Sequence, residues 1–465
     1  MGGLLATLTF HGAAGTVTGS KMLLSTDDGY NVLVDCGMFQ GLKALRELNW
    51  APPPFDARAV RWVVLTHAHI DHTGWLPRLV KSGFRGTIFA TPATAELCGI
   101  MLLDAAHLQE EDAEFLNKKG VSKHRPALPL FDEHDAKRAL GLFETVDYLA
   151  WKPLSSRVKF RYTNAGHLLG SAMAEIIVSR EGGDLRILFS GDVGRYDMPL
   201  NPDPAPPPAC DVLVLESTYG DRIHSHESLY DQLAAVAKRT FDRGGVLLVP
   251  AFAVGRAQQV ILILRELFAA GRLSRVPIHL DSPMAVDATR VYCKYPDEHP
   301  LPEEKLAGDG CVLYGPEVTM HRSQAESKKL NDLKGPGVII SSSGMLTGGR
   351  ILHHLAQRAP DSRNTILMVG YQAEGTRGRA LCDGAAYLRF HGEEVPVKAE
   401  VAELHGLSGH ADMDELLRWT GPLAPPKTVF VNHGEPAAAA NLAGRLKKER
   451  GWNTVVPVLH QSFTL

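Results

Sequence analysis

The sequence predicts a layered α/β protein with a second α/β domain inserted into the first, and three observations carry that expectation. Short apolar runs of strand length recur between stretches of helical period. Several of these runs end at histidine, aspartate or glutamate. A central block, residues 221–395, keeps its own alternation of strand and helix. At 465 residues the chain is also too long for one ordinary core, which fits two or three domains.

A hydrophobic content of 45% with 22% charged residues is average for a globular protein and excludes a disordered or fibrous chain. Forty-nine Lys and Arg against 52 Asp and Glu give a net charge of −3, so a polyanionic partner must be held by a local groove and not by overall charge. The six cysteines, Cys36, Cys98, Cys210, Cys293, Cys311 and Cys382, include no C-x-x-C pair. They are expected as reduced thiols, neither disulfides nor a zinc knuckle. No apolar run approaches membrane-spanning length, and residues 1–10 lack a basic leader and read as a first strand. The expectation is a cytoplasmic protein with no membrane contact.

Along the chain, residues 4–10 alternate as a strand, and a glycine-rich turn over 11–21 leads into a second strand at 22–25. The turn lacks the Gly-Lys-Ser/Thr order of a nucleotide-binding phosphate loop, and no helix follows it. Residues 31–34 run into Asp35, which either forms a turn or orients a metal-bound imidazole through its second ring nitrogen. The apolar run 60–65 ends at Thr66 and then His67-Ala68-His69-Ile70-Asp71-His72. Imidazoles and a carboxylate without thiolate suit Zn²⁺ first, with Fe or Mn as rivals. The plain alternative is a histidine-rich surface loop, so a metal centre needs partners elsewhere.

Those partners recur at strand ends. Helices are expected over 75–81, 92–119 and 131–143, with His107 in the second read as packing or surface. A strand at 158–162 precedes His167, one at 185–189 precedes Asp192, one at 212–215 ends at Glu216, and one at 428–431 runs into His433. In layered α/β folds such residues converge although they lie far apart in sequence.

In the central block helices are expected at 228–242 and 254–270, and strands at 246–249, 276–280 and 338–340. After the last of these, Ser342, Ser343, Gly344 and Met345 lie in a Ser/Gly loop before a helix over 352–358. The loop reads either as an anion site, where helix-start N–H groups and the helix dipole meet a phosphate, or as a tight connection that needs small residues. Residues 370–379 are a second candidate, with Arg377 as the guanidinium suited to phosphate oxygens.

Taken in order, these residues resemble the motifs of the metallo-β-lactamase superfamily and, within it, the β-CASP nucleases. Asp35, the 67–72 stretch, His167 and Asp192 match the superfamily motifs; Glu216, His410 in Ser-Gly-His-Ala-Asp and His433 resemble the three further β-CASP motifs. The chain looks most like the RNA-processing branch, similar to the cleavage-and-polyadenylation endonuclease subunit and its prokaryotic homologues. The DNA cross-link repair branch typically has Val where His433 stands. The resemblance implies an αββα sandwich interrupted by an α/β β-CASP domain, with lactamase parts at 1–220 and 396–465 and the insert at 221–395.

It also implies a di-zinc ribonuclease acting on single-stranded RNA, with the insert clamping the strand. One metal would take His67, His69 and His167, the second Asp71, His72 and His433, with Asp192 bridging and Asp35 behind the ligands. Two such ions polarise a phosphodiester and activate water. His410 would be the general acid, oriented by Glu216, with His405 as rival acid, and Asp71 and Asp192 would also serve the chemistry. A homo-oligomer is compatible with the sequence. The competing readings are a thioester or lactam hydrolase of the same superfamily, which the large insert argues against, and a noncatalytic scaffold subunit, which seven intact ligand positions argue against.

Overall fold

Buried and half-buried residues alternate along Ala6–Phe10 and Met22–Thr26, the period-two pattern of strands covered on one face. Ala172–Val178 is buried at every position, so that strand lies inside the molecule. The computed structural model describes residues 5–122, 124–301, 311–370, 372, 375–390 and 393–465. They form two units, one of Met1–Tyr196, Asp203–Ile223 and Gly409–Leu465, the other of Asp197–Pro202 and His224–Ser408.

The first unit holds two seven-stranded sheets. One runs Ser462–Thr464, Ala6–Phe10, Met22–Thr26, Asn31–Val34, Trp62–Val64, Thr87–Ala90, Phe143–Thr145. The other runs Thr454–Val455, Thr428–Val431, Val212–Leu215, Leu185–Phe189, Ala172–Val178, Val158–Asn164, Lys152–Pro153. Phe10, Leu24 and Val34 of the first sheet share a core with Phe160, Ile176, Ile187 and Phe430 of the second. Burying each such side chain contributes about 1.5–3 kcal/mol. Helices Met413–Thr420 and Pro436–Arg450 cover the outside of the second sheet through Leu416, Trp419, Leu442 and Leu446, and helix Pro92–Lys119 buries Leu97 and Met101. The result is the expected αββα sandwich.

Register decides where the functional residues emerge. Leu185–Phe189, Val212–Leu215 and Thr428–Val431 are parallel neighbours, with Phe189 opposite Val214 and Val214 opposite Phe430, so all three end at one edge. Asn31–Val34 and Trp62–Val64 are likewise parallel, with Val34 opposite Val64. Asp192, Glu216 and His433 follow the first group, Asp35 and His67 the second.

The second unit carries a six-stranded parallel sheet in the order Val318–Met320, Ile278–Leu280, Gly337–Ser341, Val246–Pro250, Thr365–Met368, Glu400–Glu403. Tyr387–Phe390 and Glu393–Pro396 form a separate antiparallel pair.

Three expectations need correction. The second unit extends past residue 395 because Glu400–Glu403 pairs in register with Thr365–Met368, and it also takes Asp197–Pro202. The helix expected over 131–143 is only Glu133–Leu140; Gly141 ends it, and Phe143–Thr145 turns into a strand beside Thr87–Ala90. The cysteines are not all reduced, since Cys293, in the last turn of helix Pro283–Lys294, is bonded to Cys311 with Cα atoms 5.0 Å apart. Their sequence separation is 18, and a reading that looks for close spacing misses pairs that folding alone brings into bonding range.

Candidate metal centre

Seven ligand-type side chains of the first unit converge at the sheet edge. His67 and His69 follow the strand Trp62–Val64, and Asp71 and His72 sit in the single-turn helix Ile70–Thr73. His167 follows Val158–Asn164, Asp192 follows Leu185–Phe189, and His433 follows Thr428–Val431. The ligand atoms of His67, His69, His167 and Asp192 lie within 4.8 Å of one another, as do those of Asp71, His72 and His433. A third group joins Asp192 to Glu216 and His410.

The local fold is specific. Asp35 and His433 both have left-handed backbones, φ 59° and 50°, which non-glycine residues seldom adopt and which gather at functional sites. Gly37 passes the helix of Asp71 so closely that a Cβ would stand 1.5 Å from the Asp71 carbonyl oxygen, so no larger residue fits.

Within the first cluster, Nδ1 of His69 lies 3.1 Å from Nε2 of His67 and 3.2 Å from Nε2 of His167. In the second, the Nε2 atoms of His72 and His433 are 3.0 Å apart, and Asp71 Oδ2 is 3.6 Å from His433. Asp192 stands between them: Oδ2 is 3.4 Å from His67 and 3.7 Å from His167, and Oδ1 is 3.4 Å from His72 and 3.5 Å from His433. Both Asp192 oxygens are buried and accept no hydrogen bond from the described residues. A buried carboxylate without hydrogen bonds is expensive, and a cation shared by the surrounding nitrogens relieves that cost. The donor set therefore fits a metal.

Behind these atoms lies a second layer. Asp35 accepts from the Thr66 backbone N–H at 2.8 Å and the Thr66 hydroxyl at 3.0 Å, and it is 2.7 Å from Nδ1 of His72. His167 turns Nδ1 to the Gly409 carbonyl at 2.9 Å. Such contacts fix ring orientation and leave the other nitrogen for an ion. Thr66, which the sequence reading treated only as a strand end, also lies 3.1 Å from Nδ1 of His67 and is the hub of this layer. Its one sequence signal is its place directly before His67.

Charge sorts the site. Burial lowers His69 to about 4 and holds His67 and His167 well below the ordinary imidazole value, so their nitrogens keep lone pairs. Burial alone would raise Asp71, but the His433 contact and nearby His72 bring it to about 2. Asp192 is likewise held well below the carboxylate range, its burial outweighed by His433, His72 and His67. Burial pulls His410 down, yet Glu216 and Asp192 together raise it above its ordinary value.

His410 Nδ1 is 3.2 Å from Glu216 Oε2, and Glu216 is itself held by the N–H groups of Val193 at 2.7 Å and Thr218 at 3.2 Å. His405 belongs to the other unit, and its backbone is gripped at both N–H and C=O by the Gln232 amide.

In the Ser/Gly loop of the second unit the buried Ser342 hydroxyl has no hydrogen-bond partner among the described residues, while part of the backbone bonds within the loop. Ser343 Oγ accepts from the N–H groups of Thr347 and Gly348, while Ser342, Gly349 and Arg350 carbonyls take the N–H groups of Ile351, Leu352, His353 and His354. The donors at the start of helix Ile351–Arg358 are thus already used. Gly344 packs on Phe252, and the Met345 carbonyl accepts from Gly378. Arg377 donates to the carbonyls of Leu346 and Arg389. Of the second candidate stretch, Tyr371, Ala373 and Glu374 lie outside the described residues.

Facing sheets whose strand ends gather imidazoles around a bare buried carboxylate define a metal-dependent hydrolase of the metallo-β-lactamase type. Three family descriptions match in order: the metallo-beta-lactamase superfamily over residues 15–88, the Beta-Casp domain over 257–381 and the Zn-dependent metallo-hydrolase RNA specificity domain over 394–457. The chain is 40% identical over 445 residues to Ribonuclease TTHA0252 of Thermus thermophilus, covering 95% of each. It is 34% identical to Transcription termination factor FttA of Pyrococcus abyssi, over 94% of this chain and 68% of that one, and 30% identical to an RNase J-like protein of Methanocaldococcus jannaschii, over 97% and 98%. The chain belongs to the β-CASP ribonuclease family of the metallo-β-lactamase superfamily. A crystal structure of a protein of unknown function from Enterococcus faecalis V583 shares the fold, with TM-score 0.55 and 12% identity over 99% of this chain and 100% of that one. Among the described residues no helix is long and apolar enough to cross a membrane.

Proposed function

We propose that the protein is a di-zinc ribonuclease of the cytoplasm that hydrolyses phosphodiester bonds in single-stranded RNA. The observation that carries this reading is Asp192, whose two buried, unpartnered oxygens face two separate imidazole clusters with the His410–Glu216 pair alongside. His67, His69 and His167 would hold one ion, Asp71, His72 and His433 the other, with Asp192 shared. Ions bound there would polarise the phosphodiester and lower the pKa of water enough for attack at neutral pH.

The chain's own residues supply the rest. Asp35 holds the His72 ring and Gly409 the His167 ring, so neither ligand must be ordered during the reaction. Glu216 engages Nδ1 of His410 and leaves Nε2 as the edge that gives a proton to the departing oxygen. Burial pulls that ring down, but Glu216 and Asp192 outweigh it and raise it above its ordinary value, which favours the protonated form. The relatives, a ribonuclease among them, support RNA over a thioester or lactam.

The test incubates zinc-loaded protein with 5′-labelled and internally labelled single-stranded RNA, with DNA of the same sequence as control. Shortened RNA products that vanish with a chelator are expected. Intact RNA alongside hydrolysis of a thioester or lactam would replace the reading with the small-molecule one.

A further inference from the structure

We infer that the outward face of the strand Val158–Asn164, with Trp151 lying on it, is a second, non-catalytic contact for single-stranded RNA. The inference rests on the ribonuclease reading and adds a place where the substrate is held away from the metal residues. Trp151 is 39% exposed and its neighbour Leu149 64%. Large apolar side chains left in water beside cations call for an explanation.

Lys159 and Arg161 are two positions apart on the strand and therefore share a face, opposite to Phe160 and Tyr162, which point into the core. The Lys159 ammonium is 4.8 Å and the Arg161 guanidinium 4.7 Å from the Trp151 ring centre. Both cations come from the sheet and stand over the indole, which stays 39% exposed. The exposed Arg157 extends the positive edge, whereas Lys152, opposite Phe160 in register, lies on the other face. Arg161 is paired with Glu175 and Lys152 with Glu144, whereas Lys159 and Arg157 have no carboxylate partner among the described residues.

An aromatic platform ringed by cations matches a single strand of nucleic acid, whose bases stack on the ring while its phosphates meet the charges. A protein partner fits poorly. The edge strand here is only Lys152–Pro153, so its proline and its length leave no ladder for another strand to extend. Two exposed apolar side chains among three cations are also too small a core for a protein interface. The strand beneath the platform continues to the loop that carries His167, so one RNA longer than the catalytic centre can touch both.

The test compares cleavage and binding of a roughly 30-nucleotide and a roughly 6-nucleotide single-stranded RNA by zinc-loaded wild type, Trp151→Ala, Trp151→Phe and Lys159→Ala. Trp151→Ala should raise KM and Kd for the long RNA about tenfold with kcat unchanged, and leave the short RNA unaffected. Trp151→Phe should restore most of the loss, and Lys159→Ala should flatten the dependence of log affinity on log salt by about 0.7. If Trp151→Ala fails to fold, Lys159→Glu carries the same length-dependent expectation. Wild-type behaviour of the variants on both lengths, or loss of a bound protein with RNA affinity intact, overturns the inference while the ribonuclease reading stands. A wild-type protein that neither binds nor cleaves either RNA removes both.

Discussion

Each unit of the molecule buries a cluster of histidine and aspartate at strand ends, and the two clusters differ in one respect. In the first unit both Asp192 oxygens are left without a hydrogen bond. In the second, Asp281 follows the strand Ile278–Leu280 and is fully supplied: Oδ2 accepts from Ser327 at 2.6 Å and lies 2.7 Å from His354 Nε2, and Oδ1 accepts from Arg350 at 2.8 Å. The same residue types thus serve chemistry or architecture according to whether the protein itself fills the carboxylate's lone pairs. A carboxylate satisfied from within has nothing to offer an ion.

The largest effect expected from breaking this contrast is at Asp192. Asp192→Ala should abolish RNA cleavage in a protein that still folds, read by product gel and by circular dichroism. Its loss removes a charge that His433, His72 and His67 favour, together with the metal it would help to hold, so the folded variant should be no more stable than wild type.

Next in size is the acid. His410→Ala should lower cleavage by about 10² to 10⁴ with metal content unchanged. A phosphorothiolate substrate, whose sulfur leaves with little protonation, should rescue that variant but not His433→Ala, which should weaken metal binding instead. Glu216→Gln should give a milder version of the His410 loss. Metal loss in His410→Ala would make His410 a ligand and not the acid.

The smallest effects on cleavage belong to the Asp281 cluster, where the change should appear as stability. Asp281→Asn should cost about 3 kcal/mol by leaving Arg350 without its counter-charge, with cleavage by the folded fraction unchanged. Burial alone would raise Asp281, but His354, Ser327 and Arg350 outweigh it and hold the carboxyl below its ordinary value. Because the folded value is the lower one, the stabilisation is present above the unfolded carboxylate value of about 4 and fades as pH falls through the folded value. Urea midpoints of wild type and Asp281→Asn should therefore converge in acid. A gap that stays constant to pH 3 would show that the contribution is not ionic.

Much of the first unit can be read from the chain because its signals are local. The helix Pro92–Lys119 and the strands Leu185–Phe189, Val212–Leu215 and Thr428–Val431 carry their periodicity and their end signals within a few residues. The stretch from His67 to His72 suggests a metal by residue type, and ligand-type residues at other strand ends complete the signal. Hydrogen-bond saturation carries no such local mark. Nothing local marks His354 as the partner of Asp281, which is 73 residues away. The Ser/Gly loop is open to an anion on residue type because glycine and serine permit that geometry, and the carbonyls that take the N–H groups of Ile351, Leu352, His353 and His354 become visible only once the turn is closed. Cys293 and Cys311 are silent in sequence for the same reason. Trp151 carries no local mark of its exposure, which only the folded structure shows.

The most direct test of the contrast is metal content per folded chain, measured by elemental analysis after gentle purification for wild type, Asp192→Ala and Asp281→Asn. The account predicts about two zinc ions in wild type and in Asp281→Asn, and fewer than one in Asp192→Ala. A cleaving wild type with one ion or none, or an Asp192→Ala protein that keeps both, would contradict it.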